Sequence, residues 1–351
     1  RAEWQRRYDG WTGDKAAYQA CLDGIGLPGW EERLPAWKPD ADPIATRQAL
    51  NKCLNAILAV VPPLAAGGAD LTENTGTELD GEPAQSREAP AGRQIHFGIR
   101  EHAMGAIMNG MALHGGIVPV GGTFFTFSDY MRGSVRLAAL SEAKVVYSWT
   151  HDSVGLGEDG PTHQPVEQLA AMRAMPQLRT IRPADANETA HAVRIALDGN
   201  GPTALILSRQ KIPVLNGTAD AYEGVTKGAY VLHDPSGAEP QVVLIGTGSE
   251  VSVCLEAAEA LADEGIPARV VSFPSWELFE LQTDAYRASV MPPGIPRLAV
   301  EAAVSFGWDR YAEASVSIDH FGASAPGAKV LEEFGYTREN VAAAARTLLA
   351  R

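Results

Sequence analysis

Short apolar runs separated by helical stretches of about ten residues constrain this chain more than any other feature. "PLAAGGADL", "GIVPVGGTFFTF", "AKVVYSWTHD", "LRTIRPAD" and "PTALILSR" read as strands. "DYMRGSVRLAALS", "PVEQLAAMRAM" and "NETAHAVRIALDG" lie between them and read as helices. Consecutive strands joined through helices run parallel, and the helices then cover both faces of the sheet. The stretch "LNGTADAYEGVTKG" is polar and unpatterned and marks a boundary. A second series follows, with strands "PQVVLIGTG", "PARVVSFPS" and "PRLAVEAA". Its helices are "SEVSVCLEAAEALADEG", "LFELQTDAYRASVM" and those of the closing segment from "GASAPGAKV" onward. The expectation is an α/β protein of two domains, each a mostly parallel sheet covered by helices. Residues 1–43 form a helical lead-in and linker, 44–215 the first domain and 216–351 the second. An amphipathic helix opens the first domain at Ile44, with Leu50, Leu54, Ile57 and Leu58 on one face before Pro62 and Pro63 stop it.

Charge narrows the partners. Lysine and arginine number 29 against 43 aspartates and glutamates, a net −14, which argues against nucleic acid or an anionic membrane. A few arginines focused in a cleft can still hold a small anion. Cys21, Cys53 and Cys254 are far apart and form no CxxC pair, so neither a disulfide framework nor a zinc site is indicated and a cytoplasmic location is expected. No apolar run approaches the ~20 residues of a membrane span. The chain opens on arginine, as a processed or partial product would.

Two segments concentrate chemistry. Thr150–Pro165, "THDSVGLGEDGPTHQP", follows a buried strand and gathers His151, Asp152, Glu158, Asp159 and His163 among glycines. The C-terminal edge of a parallel sheet is where α/β proteins bind ligands. The segment reads either as a ligand loop or as a polar loop with satisfied histidines; the His151–His163 spacing matches no local metal template. Upstream, Phe124, Phe127 and Tyr130 recur every third residue, either a core stripe or a pocket for a flat heterocycle. Arg47 near a helix start and Arg209 at a strand end either grip a phosphate or lie on the surface. The second segment, "GIREHAMGAIMNGMALHGG", begins a helix at Glu101 whose alanines and glycines imply close packing and burial. A poorly hydrated carboxyl there is held neutral and can donate a hydrogen bond. Arg100 and His102, its immediate neighbours, point elsewhere and are assigned to structure or an interface.

In this order, "GGADL", "FGIREHAMGAI", "TFFTFSDYMRGSVRLAAL", "THDSVGLGEDGPTHQPVEQLA" and "GPTALILSRQ" resemble the pyrimidine-binding domain of transketolase. The likeness continues through "VVLIGTGSEV" into that family's C-terminal domain. It implies thiamine diphosphate as cofactor and transfer of a glycolaldehyde unit from a ketose phosphate to an aldose phosphate. The donors would be xylulose 5-phosphate or sedoheptulose 7-phosphate, and the acceptors ribose 5-phosphate, glyceraldehyde 3-phosphate or erythrose 4-phosphate. Glu101 matches the glutamate that bonds the cofactor's aminopyrimidine. Phe124, Phe127 and Tyr130 match the pocket around that ring, and Asp70 a cofactor-side carboxylate. His163 matches the imidazole at the donor's scissile bond, Asp159 the reader of an acceptor hydroxyl, and His151, Arg47 and Arg209 the grip on the sugar phosphate. Asn74 stands where many members have a serine, and its amide can still reach a phosphate. The family's Gly-Asp-Gly diphosphate motif does not occur in this chain. The chain therefore resembles the last two of three domains. Mg²⁺ or Ca²⁺ and the diphosphate would be held by a partner chain or domain, and none of the metal ligands by this one. Self-association through the pyrimidine domains is the expected assembly. Dihydroxyacetone synthase shares these features, and a non-catalytic subunit that kept the fold is the remaining alternative. "GEDGPTHQP" with two arginines disfavours 1-deoxyxylulose-phosphate synthase and the 2-oxo-acid dehydrogenase beta subunit.

Overall fold

A computed structural model describes residues 1–351. Six strands, β1 (Leu64–Gly68), β2 (Gln94–His96), β3 (Val118–Phe124), β4 (Val146–Thr150), β5 (Arg179–Ile181) and β6 (Thr203–Leu207), form the first sheet. Their order is β2-β1-β3-β4-β6-β5 and every pairing is parallel. Helices cover both faces, as parallel strands require. On one face the helices Thr46–Ile57 and Ala186–Asp198 bury Leu50, Leu54 and Val193 against Leu205 and Leu207. On the other, the helices Glu101–His114 and Ser128–Leu140 bury Met104, Met108, Met131 and Val135 against Tyr147 and Trp149. Those two helices approach closely because Gly105 faces Ser134 and Met131: a Cβ there would lie 2.3 Å from Ser134 Oγ.

One expectation fails here. The helix Glu101–His114 is not buried all round: only Met104, Gly105, Met108 and Asn109 are. Gly105 serves the contact with one neighbouring helix and the buried methionines meet the sheet, while the outward side of the helix stays at the surface. Ile107, Leu113, Leu137 and Leu140 are each half exposed or more, leaving large apolar side chains of both helices at the surface. Strand β2 was not foreseen, because it has only three residues, two of them polar.

The second sheet comprises β7 (Tyr230–His233), β8 (Val242–Gly246), β9 (Ala268–Ser272), β10 (Arg297–Val300) and β11 (Ala314–Val316), in the order β11-β10-β8-β9-β7. Only β7 runs antiparallel, along β9. The edge strands β7 and β11 go beyond the sequence expectation: β7 holds an apolar run of only three residues, Tyr230 to Leu232, and β11 holds none. Leu261, Val341 and Leu348 pack one face against Leu244, Val270 and Val300. An aromatic group of Phe273, Trp276, Phe279, Trp308 and Tyr311 packs the other. "LFELQTDAYRASVM" is two helices, Trp276–Glu280 and Asp284–Val290, not one. Thr283 breaks it: its side chain accepts from the Tyr286 N–H and starts a new helix. The boundary stretch likewise contains a short helix, Tyr222–Thr226.

The lead-in is partly integrated. Trp30 enters the first core, Asn187 Oδ1 accepts from the Trp37 N–H at 2.8 Å, and Ile44 bridges to Ile212. Its first helix, Ala2–Asp9, buries no residue. No helix is long and apolar enough to cross a membrane, and all three cysteines are unpaired.

Candidate active site

Parallel strands deliver chain to one edge, so residues distant in sequence meet just beyond the carboxyl ends of β1, β3, β4 and β6. Asp70 follows β1, Phe124 ends β3, His151 follows β4 and Arg209 lies just past β6. Asp70 and His151 sit in the left-handed region, with φ of 64° and 62°. Non-glycine residues in that region are uncommon and concentrate at functional sites.

His151 is the pivot. It is buried, its Nδ1 shares a 2.9 Å hydrogen bond with the Thr150 hydroxyl, and its ring centroid lies 3.7 Å from that of Phe124. Burial first, then the charges of Arg47, Arg209 and His163, push its pKa down to about 3. The imidazole is therefore neutral near pH 7, with one donor and one acceptor nitrogen. Arg47 is itself pushed down by burial and then by the Arg209 charge. Arg47 donates to the Asn74 carbonyl at 2.7 Å and to Asn74 Oδ1 at 3.2 Å. Two guanidiniums close enough to repel, of which Arg47 meets only the neutral acceptors of Asn74, form a place for an anion.

The aromatic repeat is neither a core stripe nor a closed pocket. Phe125 is the core residue, fully buried on Trp149. Phe124, Phe127 and Tyr130 form a ladder, with centroids 5.8 Å and then 5.9 Å apart, that runs from the buried Phe124 to a Tyr130 that is 70% exposed. His163 stands beside it, 5.3 Å from Phe127, with Nδ1 2.8 Å from the Thr162 hydroxyl. The His163 carbonyl accepts from Thr126 Oγ1 at 2.9 Å, tying its loop to the aromatic turn.

The acidic residues of the 150–165 loop separate. Asp159 and Glu158 are exposed, whereas Asp152 is buried and turns away to accept from Arg182 at 2.8 and 3.0 Å. Arg182 also pairs with Glu250 and donates to Thr247, while Arg173 forms a two-pronged pair with Glu301 at 2.8 Å on both arms. This ionic cluster joins the two domains. The sequence carried no signal for it, because its members come from segments 30 to 128 residues apart. Asp70 and Asn74 line a neighbouring cavity of about 540 Å³ with Gln94 and His96.

Glu101 opens its helix half-buried, with no cap bond made by the preceding Arg100. The small neighbours of Glu101 in sequence predict a dry setting for this carboxyl. In this chain the carboxyl is half-buried rather than enclosed. A helix start carrying a carboxyl and a ladder whose outer ring is open are each suited to a flat nitrogen heterocycle. No three His, Cys, Asp or Glu side chains gather in a geometry suited to a metal ion.

A two-domain α/β frame with an anion-holding, aromatic-walled edge is thus the class of site in hand. A family model described as "Transketolase, pyrimidine binding domain" matches residues 42–214, and one described as "Transketolase-like TK C-terminal domain" matches residues 228–337. A transketolase of Geobacillus stearothermophilus is 49% identical over 96% of this chain and 51% of its own length. The solved transketolase of Leishmania mexicana is 45% identical, with a TM-score of 0.93, over all of this chain and 51% of its own. A structure titled "Split gene transketolase, inactive beta4 tetramer" is 25% identical, with a TM-score of 0.72, over 88% of this chain and 99% of its own. The chain belongs to the transketolase family. It spans about half the length of the curated relatives it matches.

Proposed function

We propose that this chain supplies the pyrimidine-side and C-terminal domains of a transketolase that moves a glycolaldehyde unit reversibly from a ketose phosphate to an aldose phosphate. Residues 44–215 are the pyrimidine-binding domain and 216–351 the C-terminal domain, with 1–43 as the lead-in. The single observation that carries the reading is the convergence of Arg47, Arg209, neutral His151 and His163 against the Phe124–Phe127 pair. A phosphate, a polyhydroxylated chain and a flat ring call for that combination together.

Thiamine diphosphate, when bound, supplies the electron sink that carbon–carbon cleavage next to a carbonyl needs. The chain's own residues do the rest. Glu101 hydrogen-bonds a ring nitrogen of the aminopyrimidine from the helix start, and Phe124, Phe127 and Tyr130 stack against that ring, with Asp70 on the cofactor side. His163 holds a donor hydroxyl and takes its proton as the bond breaks. Asp159 accepts from an acceptor hydroxyl, and His151 donates to a substrate oxygen without adding charge. Arg47, Arg209 and the Asn74 amide hold the phosphate. Diphosphate and its Mg²⁺ or Ca²⁺ belong to a partner chain or domain, which also covers Glu101. The exposed side chains of Ile107, Leu113, Leu137 and Leu140 suit a second copy. Three unpaired cysteines agree with a cytoplasmic setting.

The test is reconstitution. The chain is mixed with a diphosphate-binding transketolase domain, and transfer from xylulose 5-phosphate is assayed on ribose 5-phosphate and on formaldehyde. Transfer to ribose 5-phosphate that depends on both chains and on Glu101 supports the reading. Preference for formaldehyde would make the chain a dihydroxyacetone synthase, and no transfer to either would make it a non-catalytic relative.

A further inference from the structure

The 150–165 loop belongs to the first domain by sequence, yet it is seated in the second. Val154 and Val166, near its two ends, are buried in the second domain's core with Val300, Ile318 and Val330. The Val166 carbonyl accepts from the Val304 N–H at 3.1 Å. Between those anchors, Gln164 Nε2 donates to the Ala323 carbonyl at 2.9 Å, and Ser324 Oγ donates to the Glu158 carbonyl at 2.6 Å. The start of the helix Gly327–Glu333 presses on the loop's turn: a Cβ on Gly327 would sit 2.1 Å from the Gly155 carbonyl oxygen. Gly157 takes φ +94° at the same contact. Ahead of Val154, Asp152 is locked by Arg182, which is locked in turn by Glu250 and Thr247 of the second domain.

None of these residues lies among those assigned to substrate or cofactor, yet they flank all three loop residues that are. His151 precedes Asp152, Asp159 follows Glu158, and His163 precedes Gln164. We propose that the second domain is the template on which the substrate loop is moulded, with Ser324 and Gly327 as positioning residues that set where Asp159 and His163 meet the sugar. The inference rests on the reading of function above. A loop this rich in glycine has no intrinsic reason to hold one shape, and displacing a substrate-positioning group by ~1 Å can cost on the order of a hundredfold in rate.

The test uses the full chain. Ser324→Ala removes one tie, and Gly327→Ala drives the helix start off the loop. Thr283→Ala, which weakens a helix cap elsewhere in the same domain, controls for general destabilisation. Amide hydrogen exchange on the chain alone should rise at residues 155–164 in both loop variants and remain unchanged there in the control. In the complex with a diphosphate-binding domain, KM for the sugar phosphates should rise about tenfold or more in both loop variants, beyond any change in the control. Exchange and KM that match the control in both variants would overturn the proposal. Failure of the unsubstituted complex to transfer any two-carbon unit would sink the functional reading instead, and hydrogen exchange would still decide whether the loop is seated by the second domain.

Discussion

At the scale of single residues, the most informative side chain is His151. Its pKa is depressed from the usual 6.5 to about 3, so the folded chain resists protonation that the unfolded chain accepts. The stability this contributes is fully present above pH 6.5 and is lost as the pH falls towards 3. The total is on the order of 5 kcal/mol. His151→Gln should flatten the urea-melt stability profile between pH 6.5 and 4 relative to the unsubstituted chain. Glu101→Gln should leave stability nearly unchanged, since the side chain is only half-buried and the swap is isosteric, while transfer in the reconstituted complex falls at least a hundredfold, as removal of an essential proton-handling group does. A Glu101→Gln complex with the parent rate would remove Glu101 from the mechanism. The place of Glu101 at the head of a helix was legible in the sequence, but its surroundings were not. Small neighbours in sequence say only that something can come close. They do not say that this chain provides it.

At the scale of elements, close approach decides more than propensity. Gly67 in β1 pairs with Ile95 in β2 so closely that a Cβ would lie 1.8 Å from the Ile95 carbonyl oxygen. Gly67→Ala should therefore cost about 1–3 kcal/mol, read by chemical denaturation, and should loosen β2, which bears on the Asp70–Asn74 cavity. Thr283→Ala should cost about 1 kcal/mol through the lost helix cap. The central strands were legible because a strand covered on both faces must be a continuous apolar run, as "VVLIG" and "TALIL" are. The strands β2, β7 and β11 were not, because edge strands need no such run and are defined by what they pair with. The break at Thr283 was present in the sequence as a capping threonine followed by aspartate, and helical periodicity on either side masked it.

At the scale of the whole molecule, charge is buried between the domains. Arg182 and Arg173 serve Asp152, Glu250 and Glu301 there. Arg182→Met should destabilise the chain by about 3–5 kcal/mol, because it strands two carboxylates without their cation, and the loss should appear in thermal or urea unfolding. Glu188 of the first domain accepts from Tyr230 and Ser272 of the second, at 2.7 and 2.6 Å. Burial, then the neighbouring Asp185 charge, raises its pKa from 4.5 to about 7. A raised carboxyl pKa stabilises the fold fully below pH 4.5, and the benefit disappears as the pH rises through 7. Glu188→Gln should accordingly flatten the stability profile between pH 4.5 and 7 and leave the chain relatively more stable at pH 8. What the sequence determined by itself was the alternation of strands and helices, two mostly parallel sheets in succession, and the identity of the residues at their carboxyl edges, since these follow from local periodicity and motif spacing. What only the tertiary structure decided was which of those residues face the same space, which acid of the 150–165 loop is a structural ion rather than a ligand group, and that this loop is held by the second domain. Those outcomes depend on contacts between segments far apart along the chain, where the physics of burial and charge acts through space and leaves no local pattern to read.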